Sequence, residues 1–346
     1  MSRTPLITTL PTPTVAASQG ATGRGWDDHA TARRVLRATA VVACAPYLSL
    51  KVAWIAGSRI GIPEGSVLLD NGTTLRAANA VTVLMDACVI VLALLLTRPW
   101  GRRVPSWLLA LPMWGATGLL TPIMVGFPAQ VALRVLGVTS AEAPSAGRPF
   151  LDEWVFSVVY GGFIVQGLAL GTLFVLYARR RWSHLWQGHT GGKSAALRGR
   201  GQRLAATAAA VLALAQAGVH LMWAAGARSG LSQALVREYD ADNALQDAAY
   251  VLYGAVAVVG LVLLLRRGGR VLPLRVPLLL AGTGSAAVGC WGGWMLAAAL
   301  IGGNAGDRAA TPLMMITYAV QMIVGLLVLA AGARYFARRA AAGPAS

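Results

Sequence analysis

Charged residues are scarce in this chain: Asp, Glu, Lys and Arg make up only 12% of its 346 residues, while 56% are hydrophobic. A soluble protein typically has about a quarter of its residues charged. Here the apolar residues come in blocks of about 20, long enough to cross a hydrocarbon core of about 30 Å. We therefore expect an all-α, polytopic membrane protein in contact with the lipid bilayer.

Cysteine and lysine are also rare. Cys44, Cys88 and Cys290 all lie inside apolar blocks and lack metal-ligand spacing. This pattern predicts buried free thiols and no disulfide framework. The chain has only two lysines beside its many arginines and alanines, a composition typical of high-GC bacterial genomes.

Several catalytic motifs are absent from the sequence. It has no phosphate-binding Gly-rich loop with Lys-Ser/Thr, no His-Glu-x-x-His, no Gly-x-Ser-x-Gly and no Asp-Asp-x-x-Asp. His220 is the single histidine inside an apolar block, so no pair of haem ligands is predicted. We accordingly predict no cofactor and no metal site.

The apolar blocks predict eight transmembrane helices. They cover residues 38–57, 77–97, 104–126, 154–178, 204–226, 245–265, 278–300 and 313–333. Tryptophans near the block ends, such as Trp100, Trp107 and Trp154, are typical of interfacial anchors.

The charges indicate the orientation of these spans. In an eight-span arrangement, one side holds 22 of the 30 basic residues, and the other holds ten of the thirteen acids. The positive-inside rule then predicts both termini in the cytoplasm, in a bacterial inner membrane. Such topogenic arginines also explain the net charge of +17 without a nucleic-acid partner.

The predicted organisation has two membrane units. It comprises a disordered tail (1–34), a first four-helix repeat (35–180), a basic linker (181–203), a second four-helix repeat (204–339) and a short tail (340–346). We refer to residues 35–180 as the first half and 204–339 as the second half. Because four is an even number of spans, the two halves would share one orientation, and sites in such folds tend to lie between halves.

The repeat is read from two copies of one motif. "LKVAWIAGSRIG" begins at Leu50, and "VHLMWAAGARSG" begins at Val219, 169 residues later. The offset aligns Lys51 with His220 and Trp54 with Trp223, together with the following alanine, two glycines and arginine.

Weaker echoes link the other spans. Tyr160, Gly167, Leu168 and Tyr177 match Tyr318, Gly325, Leu326 and Tyr335, and Trp114-Gly115 matches Trp291-Gly292. Each half resembles uncharacterised four-helix bacterial membrane domains in which a helix ends in a His-x-x-Trp-x-x-Gly motif. Lys51 departs from that pattern by replacing the histidine. The resemblance implies a fold but no established activity.

Two ionisable residues within the spans are candidates for function. Asp86 lies near the centre of the second span, and Lys51 lies about 9 Å from the end of the first. Both are costly in a membrane unless paired or hydrated. Asp86 either pairs with Lys51 or acts as a protonated carboxyl that donates a proton. Lys51 and His220 either anchor and pack the helices or line one shared cavity.

A second group of acids lies at the beginning of the fourth and sixth spans. Its candidate catalytic members are Asp152, Glu153, Asp240, Asp242 and Asp247. They could stabilise helix N-termini, with Asp242 or Asn243 as the N-cap. Alternatively they form an acidic entrance for cations, or supply a proton.

These residues favour a membrane enzyme that acts on a lipophilic molecule. In size and character the chain is similar to bacterial membrane-bound terpene cyclases that fold prenylated indoles, a resemblance that implies acid-initiated cyclisation. Aromatic rings would stabilise the passing carbocations. The predicted substrate-binding residues are Lys51, Trp54, Trp114, Tyr160, His220, Trp223, Trp291 and Trp294. The alternatives are a transporter or exporter of a hydrophobic compound, and a non-catalytic subunit that binds another membrane protein.

Overall fold

The computed structural model describes residues 30–69, 72–137, 151–186, 189, 199–265, 272–301 and 306–341. Eight helices in this part of the chain are long and apolar enough to cross a membrane. The prediction of an all-α, multi-pass membrane protein is confirmed at that level. Residues 1–29 of the predicted N-terminal tail, 187–188 and 190–198 of the linker and 342–346 of the C-terminal tail lie outside the described residues.

Nine helical segments build the eight spans, because the first span is made of two. They are α1 (Ala30–Val42), α2 (Ala45–Ile55), α3 (Gly72–Thr97), α4 (Ser106–Val135), α5 (Glu153–Arg181), α6 (Arg200–Ala224), α7 (Ala241–Leu265), α8 (Arg275–Ile301) and α9 (Pro312–Ala341). Short helices at Ser183–Trp186 and Gln233–Glu238 lie outside the spans.

Proline has different effects in two of these spans. Pro46 is in the first turn of α2, and it has no amide proton to continue the hydrogen-bond ladder of α1. The helix therefore breaks at residues 43–44. By contrast, Pro112, Pro122 and Pro128 all lie inside α4, which runs unbroken to Val135, well beyond the predicted end at residue 126. Membrane helices tolerate such prolines where neighbouring groups satisfy the freed carbonyls.

The four helices of the second half form a closed bundle. Helix α6 packs against α7 and α9, and α8 packs against the same two helices. Small residues allow this close approach, since the backbones of Gly289 and Gly325 meet directly, and Gly284 contacts the backbone at Ala257.

The first half is arranged less symmetrically. Helices α1 and α2 pack against α3 and α5, whereas α4 packs against α5 and also against α7 and α8 of the other half. Gly118 on α4 faces the backbone of Ala286, and the Trp291 indole nitrogen donates a hydrogen bond to the Leu119 carbonyl at 3.1 Å. Helix α4 therefore joins the two halves.

The connections fall at two ends of the bundle. At one end, which we call the arginine end, Arg181 binds the carbonyls of Gly101 and Val104 between α3 and α4. At the other, which we call the motif end, both motif copies turn out of their helices. Arg134 at the end of α4 there pairs with Asp242 at the start of α7, 3.0 Å away.

Candidate functional site

The two motif copies adopt the same turn at the motif end. Gly57 and Gly226 both have a positive φ, +96° and +102°, and so do Gly61 and Gly230, +72° and +78°. Glycine suits these positions because other L-residues are strained there. The turn of Gly61 contacts Val155 at the start of α5.

The tryptophans of the motif close these turns in the same way. The indole nitrogen of Trp54 donates to the carbonyl of Ile60 at 2.7 Å, and that of Trp223 donates to the carbonyl of Ser229 at 3.0 Å. Both rings are buried. Trp54 and Trp223, predicted as substrate-binding residues, therefore use their polar atoms to fix a turn.

Lys51 and Asp86 form a buried ion pair between α2 and α3. The Lys51 Nζ lies 2.7 Å from the Asp86 Oδ2, and both side chains are less than a tenth exposed. This is the first of the two alternatives predicted for Asp86. Such a pair satisfies two charges that would each be costly alone in the bilayer.

Aromatic rings surround this pair. The Lys51 Nζ lies 4.9 Å from the centre of the Tyr47 ring and 5.7 Å from that of Phe163. The Tyr47 hydroxyl donates to Gln166 at 2.6 Å, which ties α2 to α5. We call Lys51, Asp86, Tyr47, Phe163 and Gln166 the lysine cluster.

His220 has a different partner in the second half. Its Nδ1 lies 2.7 Å from the Oδ1 of Asp247 on α7, and the other carboxylate oxygen accepts a 2.5 Å hydrogen bond from the Tyr239 hydroxyl. His220 is 2% exposed, and the Asp247 side chain is 13% exposed. Asp247 is thus a carboxyl held between an imidazole and a phenol, inside an apolar bundle.

Two glutamines and aromatic rings complete this arrangement. Gln321 on α9 lies 2.8 Å from the His220 Nε2 and donates to Gln216 at 3.2 Å. The Tyr250 ring stacks on the imidazole with centroids 4.6 Å apart, and Trp223 meets its edge at 5.2 Å. The histidine cluster comprises His220, Asp247, Tyr239, Gln216, Gln321 and Tyr250.

Arg228 of the motif covers the outer side of the histidine cluster. Its guanidinium carbon is 3.7 Å from the centre of the Tyr239 ring, and it also binds the carbonyl of Trp223. Tyr239 precedes α7, outside the spans. Burial raises the pKa of Tyr239 above its usual value, and the hydrogen bond to Asp247 adds to that effect. The phenol therefore remains protonated at ordinary pH and can donate to Asp247.

The remaining acids of the predicted group lie at the motif end without joining a cluster. Asp240 caps α7, because its Oδ1 accepts from the Asn243 backbone at 2.9 Å. The prediction of Asp242 or Asn243 as the cap was wrong, because α7 begins at Ala241, four residues before the predicted span. Asp152 precedes α5 without a side-chain capping bond, and Glu153 is almost fully exposed.

The other predicted aromatic residues are dispersed. Tyr160 contacts Phe127 in the first half, with ring centroids 5.1 Å apart. Trp291 binds the carbonyl of Leu119 at the contact between halves, while Trp294 is 39% exposed. The Trp114 ring contacts Gly325, and its buried indole nitrogen has no hydrogen-bond partner among the described residues.

The structure thus assembles two clusters from the predicted residues. Lys51 contacts residues of the first half, and His220 contacts residues of the second half. Sequence reasoning missed Tyr239 and the glutamines. The signal available was polarity: an amide inside an apolar span is costly unless it is hydrogen-bonded.

Comparison of the chain with known protein families, curated proteins and solved structures gives no match.

Proposed function

We propose that this integral membrane protein is an enzyme whose Asp247 supplies the proton that starts cyclisation of a prenylated lipophilic small molecule. The observation that carries the proposal is the position of Asp247. Its carboxyl group forms hydrogen bonds with His220 and Tyr239 within an eight-helix apolar bundle. A lipophilic substrate would reach such a group from the bilayer.

The reaction requires that the substrate gain one proton at the start and lose one proton at the end. The Asp247 carboxyl, once protonated, gives its proton to an alkene carbon of the prenyl chain, and the alkene π electrons form the new bonds. The final carbocation loses a proton, so the product is an isomer of the substrate. The hydrogen bonds from His220 and Tyr239 stabilise the carboxylate left behind.

Aromatic faces support the cationic stage of this reaction. Tyr250 and Trp223 contact His220 directly, and Tyr318 belongs to the same buried cluster as Trp223. Ring faces attract cations most strongly where water is excluded. The lysine cluster is less suited to this role, because Lys51 already neutralises Asp86.

The test is cyclisation in deuterated water. Membranes that contain the protein are supplied with a farnesylated indole, and the product is analysed by chromatography and mass spectrometry. We expect an isomer that carries one deuterium, since the initiating proton exchanges with solvent.

Asp247→Asn should abolish this product, since an amide has no acidic proton to give. Asp242→Asn is the matched control, because that carboxylate is partly exposed and pairs with Arg134. An unchanged substrate, or equal activity in Asp247→Asn and the wild type, would refute the proposal.

Transport of a hydrophobic compound is the second candidate. It is favoured by α4, whose three internal prolines lie in the helix that joins the halves. Prolines locally weaken a helix and permit bending. This function predicts gradient-driven flux of an unmodified compound into proteoliposomes, whereas the enzyme requires no gradient.

We also infer that the two halves are copies of one four-helix unit, with both termini in the cytoplasm of a bacterium. The matching turns and indole hydrogen bonds of the two motif copies support the duplication. The arginines at one end of the bundle support the orientation. Reporter fusions to the C-terminus and within residues 302–305 should lie on opposite sides of the membrane, and the same side for both would contradict it.

A further inference from the structure

A directed series of hydrogen bonds leads from the backbone of α6 to His220. The Gln216 Nε2 donates to the Ala213 carbonyl at 3.0 Å, and the Gln216 Oε1 accepts from the Gln321 Nε2 at 3.2 Å. The same Gln321 nitrogen lies 2.8 Å from the His220 Nε2. Both glutamines are 2% exposed or less, so water does not compensate for a lost bond.

The backbone carbonyl fixes the direction of the whole series. A carbonyl only accepts hydrogen bonds, so Gln216 must present its amide nitrogen to Ala213 and its oxygen to Gln321. Gln321 must then present its nitrogen to both Gln216 and His220. The His220 Nε2 therefore acts as an acceptor, and the ring proton lies on Nδ1, where it is donated to Asp247.

We infer that Gln216 and Gln321 are positioning residues that hold His220 in its Nδ1–H form and thereby direct an added proton to Asp247. The inference rests on the proposed function and names the group that carries the proton. An imidazolium would place an N–H on Nε2 against the donor of Gln321. Two buried donors that face each other leave both N–H groups without an acceptor, which disfavours the imidazolium. The carboxylate is therefore the favoured site for the added proton.

The Asp247 carboxylate can accept that proton without breaking the series. The Tyr239 hydroxyl both donates and accepts, so it can rotate to accept from a protonated Asp247. The His220 Nδ1 continues to donate to the other oxygen. Gln216 and Gln321 remain unchanged in both states.

Among the residues that the structure describes, Tyr239 is the one other titratable group that forms a hydrogen bond with Asp247 or His220. Tyr250 faces it from α7, Tyr318 from α9 and Tyr239 from the segment before α7; each is a phenol. Arg228 is a fixed cation over the Tyr239 ring, and Asp240 is engaged as the cap of α7.

The first half supplies a matched control. Gln166 is also a buried glutamine, 1% exposed, but its oxygen accepts from Tyr47. Gln166→Leu thus removes an amide from a membrane helix without touching His220. Gln321→Leu removes the donor opposite Nε2, and Gln321→Glu replaces it with an acceptor of nearly the same shape.

The experiment is solid-state NMR of the full-length protein in lipid bilayers, with ¹⁵N-labelled histidine. The chain has four histidines, so His220→Asn assigns the signal. We expect the wild type to show a proton on Nδ1 and none on Nε2. Gln321→Glu should show both ring nitrogens protonated, and Gln166→Leu should match the wild type.

The same variants are then tested for deuterium incorporation during cyclisation. We expect Gln321→Glu to be slower by about 100-fold or more, because the proton is retained on the imidazole. A wild-type Nε2–H tautomer, or an unchanged tautomer in Gln321→Glu, would overturn the inference. If the tautomers change as expected while the wild type cyclises nothing, the proposed function fails and the positioning role stands.

Discussion

The two halves place a base at the same position of the motif, yet they pair it differently. Lys51 forms a hydrogen bond with Asp86, 35 residues later in the chain, and His220 forms one with Asp247, 27 residues later. From the helix starts, Asp86 lies about 21 Å along α3, and Asp247 about 9 Å along α7. A long lysine reaches a carboxylate at mid-span, whereas an imidazole requires one close to the motif end.

The surroundings of the two bases differ at matching positions as well. The offset of 169 residues carries Tyr47 to Gln216, and the offset of 158 that relates α5 to α9 carries Phe163 to Gln321. Rings around Lys51 leave its charge satisfied by Asp86 and by cation–π attraction. Amides around His220 instead impose a direction on its proton. The first half thus neutralises Lys51, and the second half orients the proton of His220.

We expect the largest loss of stability when Lys51, the base of the first half, is replaced. Lys51→Met leaves Asp86 buried without its partner, and we expect a loss of about 3–5 kcal/mol in the free energy of unfolding. Thermal unfolding in detergent measures it. The double variant Lys51→Met/Asp86→Leu should recover most of the loss, since no unpaired charge remains. A single variant as stable as the wild type would show that the pair is dispensable.

The glycines of the two turns test a feature that both halves share, a backbone with positive φ. Gly57→Ala and Gly226→Ala should each cost about 1–2 kcal/mol, because both residues have a positive φ and open space around the new methyl group. Gly61→Ala and Gly230→Ala should cost more, since the methyl group would also press against Val155 or Leu313.

Thermal unfolding measures these glycine variants. Gly115→Ala is their control: it lies inside α4 with open space around it, and should be neutral or stabilising. A cost confined to one half would contradict the matching turns.

Much of the fold follows from the sequence, because span length and apolarity are local properties. The eight helices and the possible Lys51–Asp86 pair were both predicted from residue patterns. The end of α4 was not, since Gly126 and Pro128 are tolerated inside this membrane helix.

The histidine cluster could not be predicted because it depends on the rotation of three helices. Asp247 was grouped with the acids at the start of the sixth span, and the sequence does not indicate that its side chain faces His220. The pairing of Gln321 with His220 links residues 101 positions apart. Sequence offsets align the motif copies, but they do not indicate which side chains meet across helices.

A smaller effect is expected at the motif tryptophans. Trp54→Phe and Trp223→Phe each remove one indole hydrogen bond to a turn carbonyl while keeping most of the ring packing. We expect about 1 kcal/mol of destabilisation in each half, measured by thermal unfolding. The two variants should differ in cyclisation activity. We expect only Trp223→Phe to change it, because Trp223 contacts His220. A much larger loss of stability in one half would show that the two turns are not equivalent.

The smallest effect is expected where the halves meet at the motif end. Arg134 of the first half pairs with Asp242 of the second at 3.0 Å, and Arg308 pairs with Glu238 within the second half at 2.7 Å. All four side chains are at least a quarter exposed, so solvent screens both pairs. Double-mutant cycles with alanine should give coupling energies of about 0.2–1 kcal/mol that decline as salt is added. A clearly larger, salt-insensitive coupling for Arg134 and Asp242 would mean that this contact, and not only the packing of α4, fastens the two halves together.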